Sequence, residues 1–346
     1  MDAGKCMSFK DIYGQDKQIA ILKSAIESGR VAHSYLFYGV KGVGKKTAAE
    51  IFAKALNCSE GKPDSCDRCS SCLKIDHKNH PYVITIEPEG NFIKIDAIRD
   101  LQNQIKFRPL EGSKRVFIIV DADRMNSVSA NSLLKTLEEP SPSNILILIT
   151  ARHYLLPATI LSRCQQLRFN PIQRETVASF LEEKLSLDGE YARLLASSSG
   201  GSIGKALEMN KDSYLTFKDE IIENISTSTI EDPLKLISFM ESFGKNRKGV
   251  TEKLEILKSW YRDILVYKET GKTETLIHQD RIETIKSFGE KMPGSDILKS
   301  IKTISHAHRA IEQNANKELT LEWMIFKLAE IITTHARVDM LNKQNL

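Results

Sequence analysis

Gly39-Val-Lys-Gly-Val-Gly-Lys-Lys-Thr47 is the stretch on which the fold turns. Gly39, Gly44 and Lys45 complete the pattern G-x-x-x-x-G-K, with Gly42 as a further glycine inside it. In such a turn, backbone N–H groups and the positive end of the next helix attract phosphate, and the lysine adds a point charge. The next position should supply the Ser or Thr hydroxyl that holds Mg²⁺, but it is Lys46. Thr47 follows one residue later, about 100° around a helix, and is a poor replacement ligand. Lys46 instead sets positive charge where the metal would be.

Working outward, Ser34-Tyr-Leu-Phe-Tyr38 reads as a short strand that runs straight into the loop. After the loop, Ala48, Ile51, Phe52, Ala55 and Leu56 line one side of a helix. Strand, glycine turn and helix in that order give the motif its context; the bland alternative is a glycine-rich turn with no ligand. Upstream, Ile19, Ile21, Leu22, Ala25 and Ile26 keep helical spacing up to Gly29. Downstream, a strand at 83–86, a helix at 93–107, a strand at 116–120, a helix at 127–137 and a strand at 145–150 alternate. That alternation predicts right-handed crossovers and a parallel sheet, with ligands at the carboxyl ends of the strands. The strand at 116–120 ends there in Asp121, and Ala122 follows it. In related ATPases a Glu at that place polarises the attacking water. The expectation is ATP or ADP bound at Gly39, Gly42, Gly44, Lys45, Lys46, Thr47 and Asp121 without turnover.

Strand signals stop near residue 170. Residues 173–210 predict three short helices, interrupted by Ser197-Ser-Ser-Gly-Gly-Ser202, and from Lys211 the pattern is helical at nearly every turn. Ile256, Leu257, Trp260, Ile264 and Leu265 form one apolar stripe, and Leu319, Leu321, Met324, Ile325, Leu328 and Ile331 another; both read as domain core. The expected fold is α/β, a parallel-sheet nucleotide-binding domain at 1–168 carrying a cysteine insertion at 58–72. A small helical lid at 169–211 and an all-α domain at 212–346 complete it.

A chain of 346 residues is long for one core, which agrees with several domains. Hydrophobic content of 41% and charged content of 27% are globular values. A formal net charge of +4 neither requires nor excludes nucleic acid, because a basic patch can hide in a balanced total. No stretch approaches the ~18–20 apolar residues of a membrane span, and no apolar secretion signal opens the chain. Met7 is a second candidate start beside Met1, since the recognisable sequence begins at Ser8. Six cysteines in a clustered arrangement argue against a disulfide framework and for a reducing cytoplasm.

Cys58-x7-Cys66-x2-Cys69-x2-Cys72 lies between the loop helix and the next strand. Four thiolates at these spacings supply the closed tetrahedral shell that Zn²⁺ takes in structural sites. Tight C-x2-C pairs also occur around iron–sulfur clusters, and four unrelated thiols are the plain alternative. His77 and His80 are surplus to a four-sulfur site and read as surface residues; Cys6 and Cys164 read as unliganded.

Further motifs carry a resemblance. Asn131-Ser-Leu-Leu-Lys-Thr-Leu-Glu-Glu-Pro140, Leu156-Pro-Ala-Thr-Ile-Leu-Ser-Arg-Cys164, His33-Ser-Tyr-Leu-Phe37 and the cysteine quartet resemble the clamp-loader subunits of bacterial DNA polymerase III, which belong to the AAA+ superfamily. The likeness covers residues 8 to about 210, and the helical remainder suits the family's collar, through which the subunits assemble. It implies a hetero-pentamer with gamma/tau and delta subunits that opens a sliding clamp and places it on primed DNA, with no membrane partner. It also implies that Arg163 reaches the γ-phosphate held by an adjacent subunit, an arginine finger worth on the order of 10³–10⁵ in rate. The bland reading of Arg163 is a helix cap or a surface ion pair. Thr150 resembles the family's first sensor residue.

Two subunit types share these motifs. The gamma/tau motor has an intact loop threonine, an Asp-Glu pair and a lid arginine; here stand Lys46, Asp121-Ala122, and Gly204 in Gly201-Ser-Ile-Gly-Lys205. All three departures side with the delta-prime type, a stator with ATPase weak or absent inside the DNA-directed DNA polymerase holoenzyme. An ATP-hydrolysing gamma/tau-like motor is the alternative, and a zinc-bearing nucleic-acid adaptor is a third reading. Lys94, Arg99, Lys106, Arg108, Lys114 and Arg115 suggest a DNA-backbone face, but Asp96, Asp100 and Glu111 dilute it, so a solvated helix face fits equally.

Overall fold

Five parallel strands form the sheet that organises the first half of the chain: β1 (Ser34–Gly39), β2 (Val83–Ile86), β3 (Arg115–Ile119), β4 (Asn144–Thr150) and β5 (Gln165–Phe169). Their order is β2-β3-β4-β1-β5, with Ser34 opposite Leu146 and Tyr35 opposite Gln165. This computed structural model describes residues 7–90, 92–107, 109, 114–211, 214–226, 233–244 and 246–344. The chain divides into two compact units, Met1–Ala192 with Ser199–Ala206, and Arg193–Ser198 with Leu207–Leu346.

In the first unit the strands alternate their side chains between two cores, as period-2 geometry requires. Tyr35, Phe37, Val116, Ile118, Ile145 and Ile147 point to one side, against α1 (Asp16–Glu27) and α2 (Lys45–Leu56). Leu36, Phe117, Ile119, Leu146 and Leu148 point to the other, against α4 (Ile95–Ile105), α5 (Ser127–Glu138) and α6 (Ala158–Leu161). A sheet buried on both faces explains why its inner strands read as unbroken apolar runs. Because β1 lies between β4 and β5, the turn after it opens at a topological switch point. The short helix α3 (Ser70–Asp76) belongs to the cysteine insertion, and α7 (Arg174–Leu185), α8 (Gly189–Ser198) and α9 (Ile203–Lys211) are the three helices expected after residue 173.

β5 was not foreseen. Its sequence, Gln-Gln-Leu-Arg-Phe, buries Leu167 and Phe169 but exposes Gln165, Gln166 and Arg168, as an edge strand does. Gly39 must be glycine for this edge: its φ is +144°, and a Cβ there would stand 2.1 Å from the Phe169 carbonyl oxygen.

The second unit is helical: α10 (Tyr214–Ser226), α11 (Pro233–Ser242), α12 (Arg247–Thr270), α13 (Ile282–Lys291), α14 (Gly294–Glu312) and α15 (Lys317–Gln344). Its core gathers Leu257, Trp260, Ile264, Ile297, Ile304, Leu321, Met324 and Leu328. Leu319, expected in that core, is exposed together with Trp323 and Phe326. A buried polar knot ties α12 to the segment before α13. The backbone N–H groups of Ile277 and His278 both donate to Asp263 Oδ2 at 2.7 Å, and Ser259 Oγ lies 2.9 Å from His278 Nε2. Burial drives the His278 imidazole down to about 4, with nearby Lys218 reinforcing the shift. Among the described residues, no helix is long and apolar enough to cross a membrane.

The basic stretch is less of a surface than its composition suggests. Arg115 is buried, and its guanidinium donates to the carbonyls of Gln104 and Phe107 at the end of α4. Lys94 pairs with Glu89 at 2.6 Å, and Arg108 and Glu111 lie outside the described residues.

Candidate nucleotide loop, arginine and metal centre

The loop leaves β1 at Gly39 and enters α2 through Gly44, which caps the helix in left-handed backbone at φ 97°. Lys45 is folded back on the turn: its Nζ donates to the carbonyls of Gly39 and Val40, 2.6 Å each. Burial lowers its pKa to about 8, opposed by the charges of Asp121 and Asp123. Lys46, one residue on, is ion-paired to Glu87 at the end of the β2 region. The place of the metal-binding hydroxyl is thus filled by an ammonium that has its own acidic partner. Thr47 sits half-buried in the first turn of α2.

Across the switch point, Asp121 follows β3 in left-handed backbone at φ 49°, and Ala122 behind it is fully buried. A third acidic group, which sequence reasoning passed over, is the more tightly held one. Asp123 accepts the Thr150 hydroxyl at 2.5 Å and Arg152 Nε at 2.8 Å. Thr150 ends β4 with no exposure, and its oxygen also accepts the Arg152 N–H at 2.9 Å. Thr150 is therefore engaged by Asp123 rather than Asp121. The only advance signal was a second carboxylate two residues after Asp121.

The N-terminus of α9 closes on the loop. The Gly204 N–H donates to the Gly42 carbonyl at 2.9 Å, and the Ser202 hydroxyl donates to the Lys41 carbonyl at 2.8 Å. Ser202 Oγ in turn accepts the Lys205 N–H at 3.0 Å, capping α9. A Cβ on Gly42 would meet Ser202 Oγ at 2.4 Å, and one on Gly204 would meet Gly42 Cα at 2.7 Å. Both positions need glycine for this approach.

Arg163 lies elsewhere, just past α6, and is not brought together with the loop residues. Its carbonyl accepts the Ser34 hydroxyl at 2.6 Å, which ties it to the start of β1. The guanidinium, with 36% of the side chain exposed, reaches Glu138 Oε1 at 2.9 Å and donates to the Thr159 carbonyl at 3.1 Å. Neighbouring Cys164 is buried, and burial pushes its thiol up to about 11.

The four cysteines do converge. The Sγ atoms of Cys58, Cys66, Cys69 and Cys72 all lie within 4.8 Å of one another, and no disulfide joins them. A tetrahedron with Zn–S bonds near 2.3 Å has edges of about 3.8 Å, so little contraction separates this cluster from a closed metal shell. The knuckle is held by N–H donors to sulfur: Cys69 N–H to Cys66 at 3.3 Å, and Cys72 N–H to Cys69 at 3.4 Å. Burial alone would raise the Cys69 thiol, but contacts from Cys72, its N–H foremost, and from Ser59 bring it to about 6. The donor set fits a thiophilic divalent ion. His77 is exposed as expected. His80 is half-buried and not the surface residue predicted: Ser71 Oγ and the Tyr82 N–H both bond its ring.

A parallel sheet in the order 5-1-4-3-2 with a glycine loop after its first strand defines a phosphate-loop type of nucleotide-binding fold. The family description "DNA polymerase III, delta subunit" matches residues 14–173, and "DNA polymerase III, delta subunit, C terminal" matches residues 215–330. DNA polymerase III subunit delta′ of Bacillus subtilis (strain 168) is 31% identical over 320 residues, 91% of this chain and 96% of that protein. The chain belongs to this DNA polymerase III delta′ family. Subunit tau of the same organism is 28% identical over 97% of this chain but 64% of its own length, so the relation to delta′ fits better. A gamma subunit-related protein from Thermotoga maritima, of known structure, aligns over 91% of this chain and 99% of its own at 21% identity and TM-score 0.46.

Proposed function

We propose that this chain is the delta-prime-type stator of a DNA polymerase III clamp loader, a cytoplasmic hetero-pentamer with gamma/tau and delta subunits that sets a sliding clamp on primed DNA. The observation that carries the reading is Lys46. A hydroxyl is needed there to hold Mg²⁺, and an ammonium paired with Glu87 stands in its place. Ala122, fully buried, stands where a carboxylate would activate water. Backbone donors and Lys45 remain, so ATP or ADP binds and is not turned over.

Arg163 is assigned to a neighbouring subunit's triphosphate. A planar, permanently charged guanidinium matches the spread negative charge of phosphoryl transfer, and its present partner Glu138 is an exposed group that it can exchange for phosphate. Cys58, Cys66, Cys69 and Cys72 would hold a structural Zn²⁺, which supplies folding energy and no catalysis. In this reading residues 1–168 are the nucleotide-binding domain, 169–211 the lid and 212–346 the collar.

The intact glycines and Lys45 favour the second reading, a hydrolysing gamma/tau-like motor, and one experiment separates the two. The purified chain is titrated with labelled ATP while hydrolysis is followed, then mixed with gamma and delta subunits, with and without Arg163→Ala. Binding without turnover, a stoichiometric complex, and a depressed ATPase of the Arg163→Ala complex are expected. Magnesium-dependent hydrolysis by the chain alone supports the motor, and an unchanged ATPase removes the role given to Arg163.

A further inference from the structure

Lys54 sits in α2, about two and a half turns beyond Lys45, and its side chain is only 2% exposed. A buried ammonium persists where its charge and its donors are all met. Here Nζ donates to Asp67 Oδ1 at 2.6 Å, to Asp76 Oδ1 and Oδ2 at 2.7 and 2.9 Å, and to the Met7 carbonyl at 3.1 Å. Ser65 Oγ adds a bond to the same Asp67 oxygen at 2.8 Å.

The two carboxylates belong to the two arms of the cysteine knuckle. Asp67 stands between Cys66 and Cys69 in left-handed backbone at φ 56°, a conformation that a non-glycine residue keeps only when its surroundings fix it. Its backbone N–H bonds the Cys72 sulfur. Asp76 is the last residue of α3, the helix that Cys69 caps and that contains Cys72. The remaining ligand, Cys58, follows α2 directly, and its N–H donates to the Ala55 carbonyl. One ligand therefore hangs on α2, three hang on the knuckle, and Lys54 bolts the two pieces together.

We propose that Lys54 is a positioning residue for the four-cysteine metal site, and that through it metal occupancy and the order of the phosphate-loop helix form one linked equilibrium. The inference rests on the metal reading above. Linkage is reciprocal: a metal that orders the knuckle steadies α2, and a loosened α2 weakens the metal. Groups that orient ligands from outside the shell typically change metal affinity about 10–100-fold when removed.

The full chain is stripped with a chelator and titrated with Co²⁺ alone, followed by Zn²⁺ competition, while amide hydrogen exchange is read across Lys45–Leu56. Lys54→Met and Asp76→Asn are compared with Lys62→Met, whose exposed ammonium pairs with Glu60 at 3.1 Å. Expected are one metal per chain throughout, affinity lowered about 10–100-fold for Lys54→Met and Asp76→Asn, and none lost for Lys62→Met. Metal should slow exchange in α2 of the unaltered chain and leave it unchanged in Lys54→Met. If Lys54→Met does not fold, Asp76→Asn, which keeps Asp67 as a partner, decides. Unaltered affinity in these variants, or α2 exchange indifferent to metal in the unaltered chain, overturns the inference while sparing the metal site. Failure of the unaltered chain to take up metal overturns the site and the inference together.

Discussion

Gly42 and Gly204 meet backbone to backbone, the N–H of one on the carbonyl of the other at 2.9 Å, and neither leaves room for a β-carbon. The start of α9 thus rests directly on the glycine loop. Gly204 lies in α9 without the positive φ of Gly42, so alanine there tests contact rather than backbone strain. Overpacking of this kind typically costs about 1–3 kcal/mol. Gly204→Ala should lower the melting temperature, whereas Gly249→Ala in α12, with nothing within 4 Å, should not. Equal melting curves for the two variants would remove the contact from the account.

Lys46→Thr should restore half of a metal site. The Lys46–Glu87 pair is exposed and worth about 0–1 kcal/mol, so stability should scarcely change. Calorimetric titration should show ATP binding that becomes dependent on Mg²⁺. Turnover should stay absent until Ala122 is replaced as well, and appreciable hydrolysis by the single variant would contradict the role given to Ala122.

Glu138→Ala should free the guanidinium of Arg163. The two side chains are 49% and 36% exposed, so the loss of stability should again be small. Modification of Arg163 by phenylglyoxal, followed by peptide mass spectrometry, should become faster. An unaltered rate would mean that the Thr159 carbonyl and the Ser162 hydroxyl hold the arginine without Glu138.

His278 gives the helical unit a defined weakness to acid. Its pKa is depressed from near 6.5 to about 4, so below pH 6.5 the unfolded chain binds a proton that the folded one refuses. Stability conferred above pH 6.5 is lost as pH falls toward 4, by up to about 3 kcal/mol. Urea unfolding at pH 7, 5.5 and 4 should show the decline, and His278→Gln should flatten it. A slope that His278→Gln leaves intact would place the acid sensitivity elsewhere.

The strands that fill both faces of the sheet were legible because burial on two sides leaves an uninterrupted apolar signature, as in Ile145–Ile149. β5 was not, since its outward Gln165, Gln166 and Arg168 mimic a loop and its one strand neighbour among the described residues, β1, lies far back in the chain. The cysteine convergence could be read from local spacing. The acids that answer Lys46, Arg163 and Lys54 could not, because each is supplied by a different element and no periodicity announces it. Arg115 shows the opposite error: counted among surface cations, it is spent on the carbonyls that end α4.

The bond from Ser34 to the Arg163 carbonyl pins that arginine to the amino end of β1, while the glycine loop begins at the carboxyl end of the same strand. Six residues of extended chain put roughly 17–20 Å between the two, well beyond the stretch of one side chain. Under the role proposed for Arg163, the arginine and its own chain's loop would thus sit at opposite ends of a stiff rod, too far apart to serve one another. On that proposal the part has a polarity: copies or cousins would stack only in sequence, each one's tail toward the next one's head. Whether that sequence shuts into a ring or runs on is then set by the angle between successive parts.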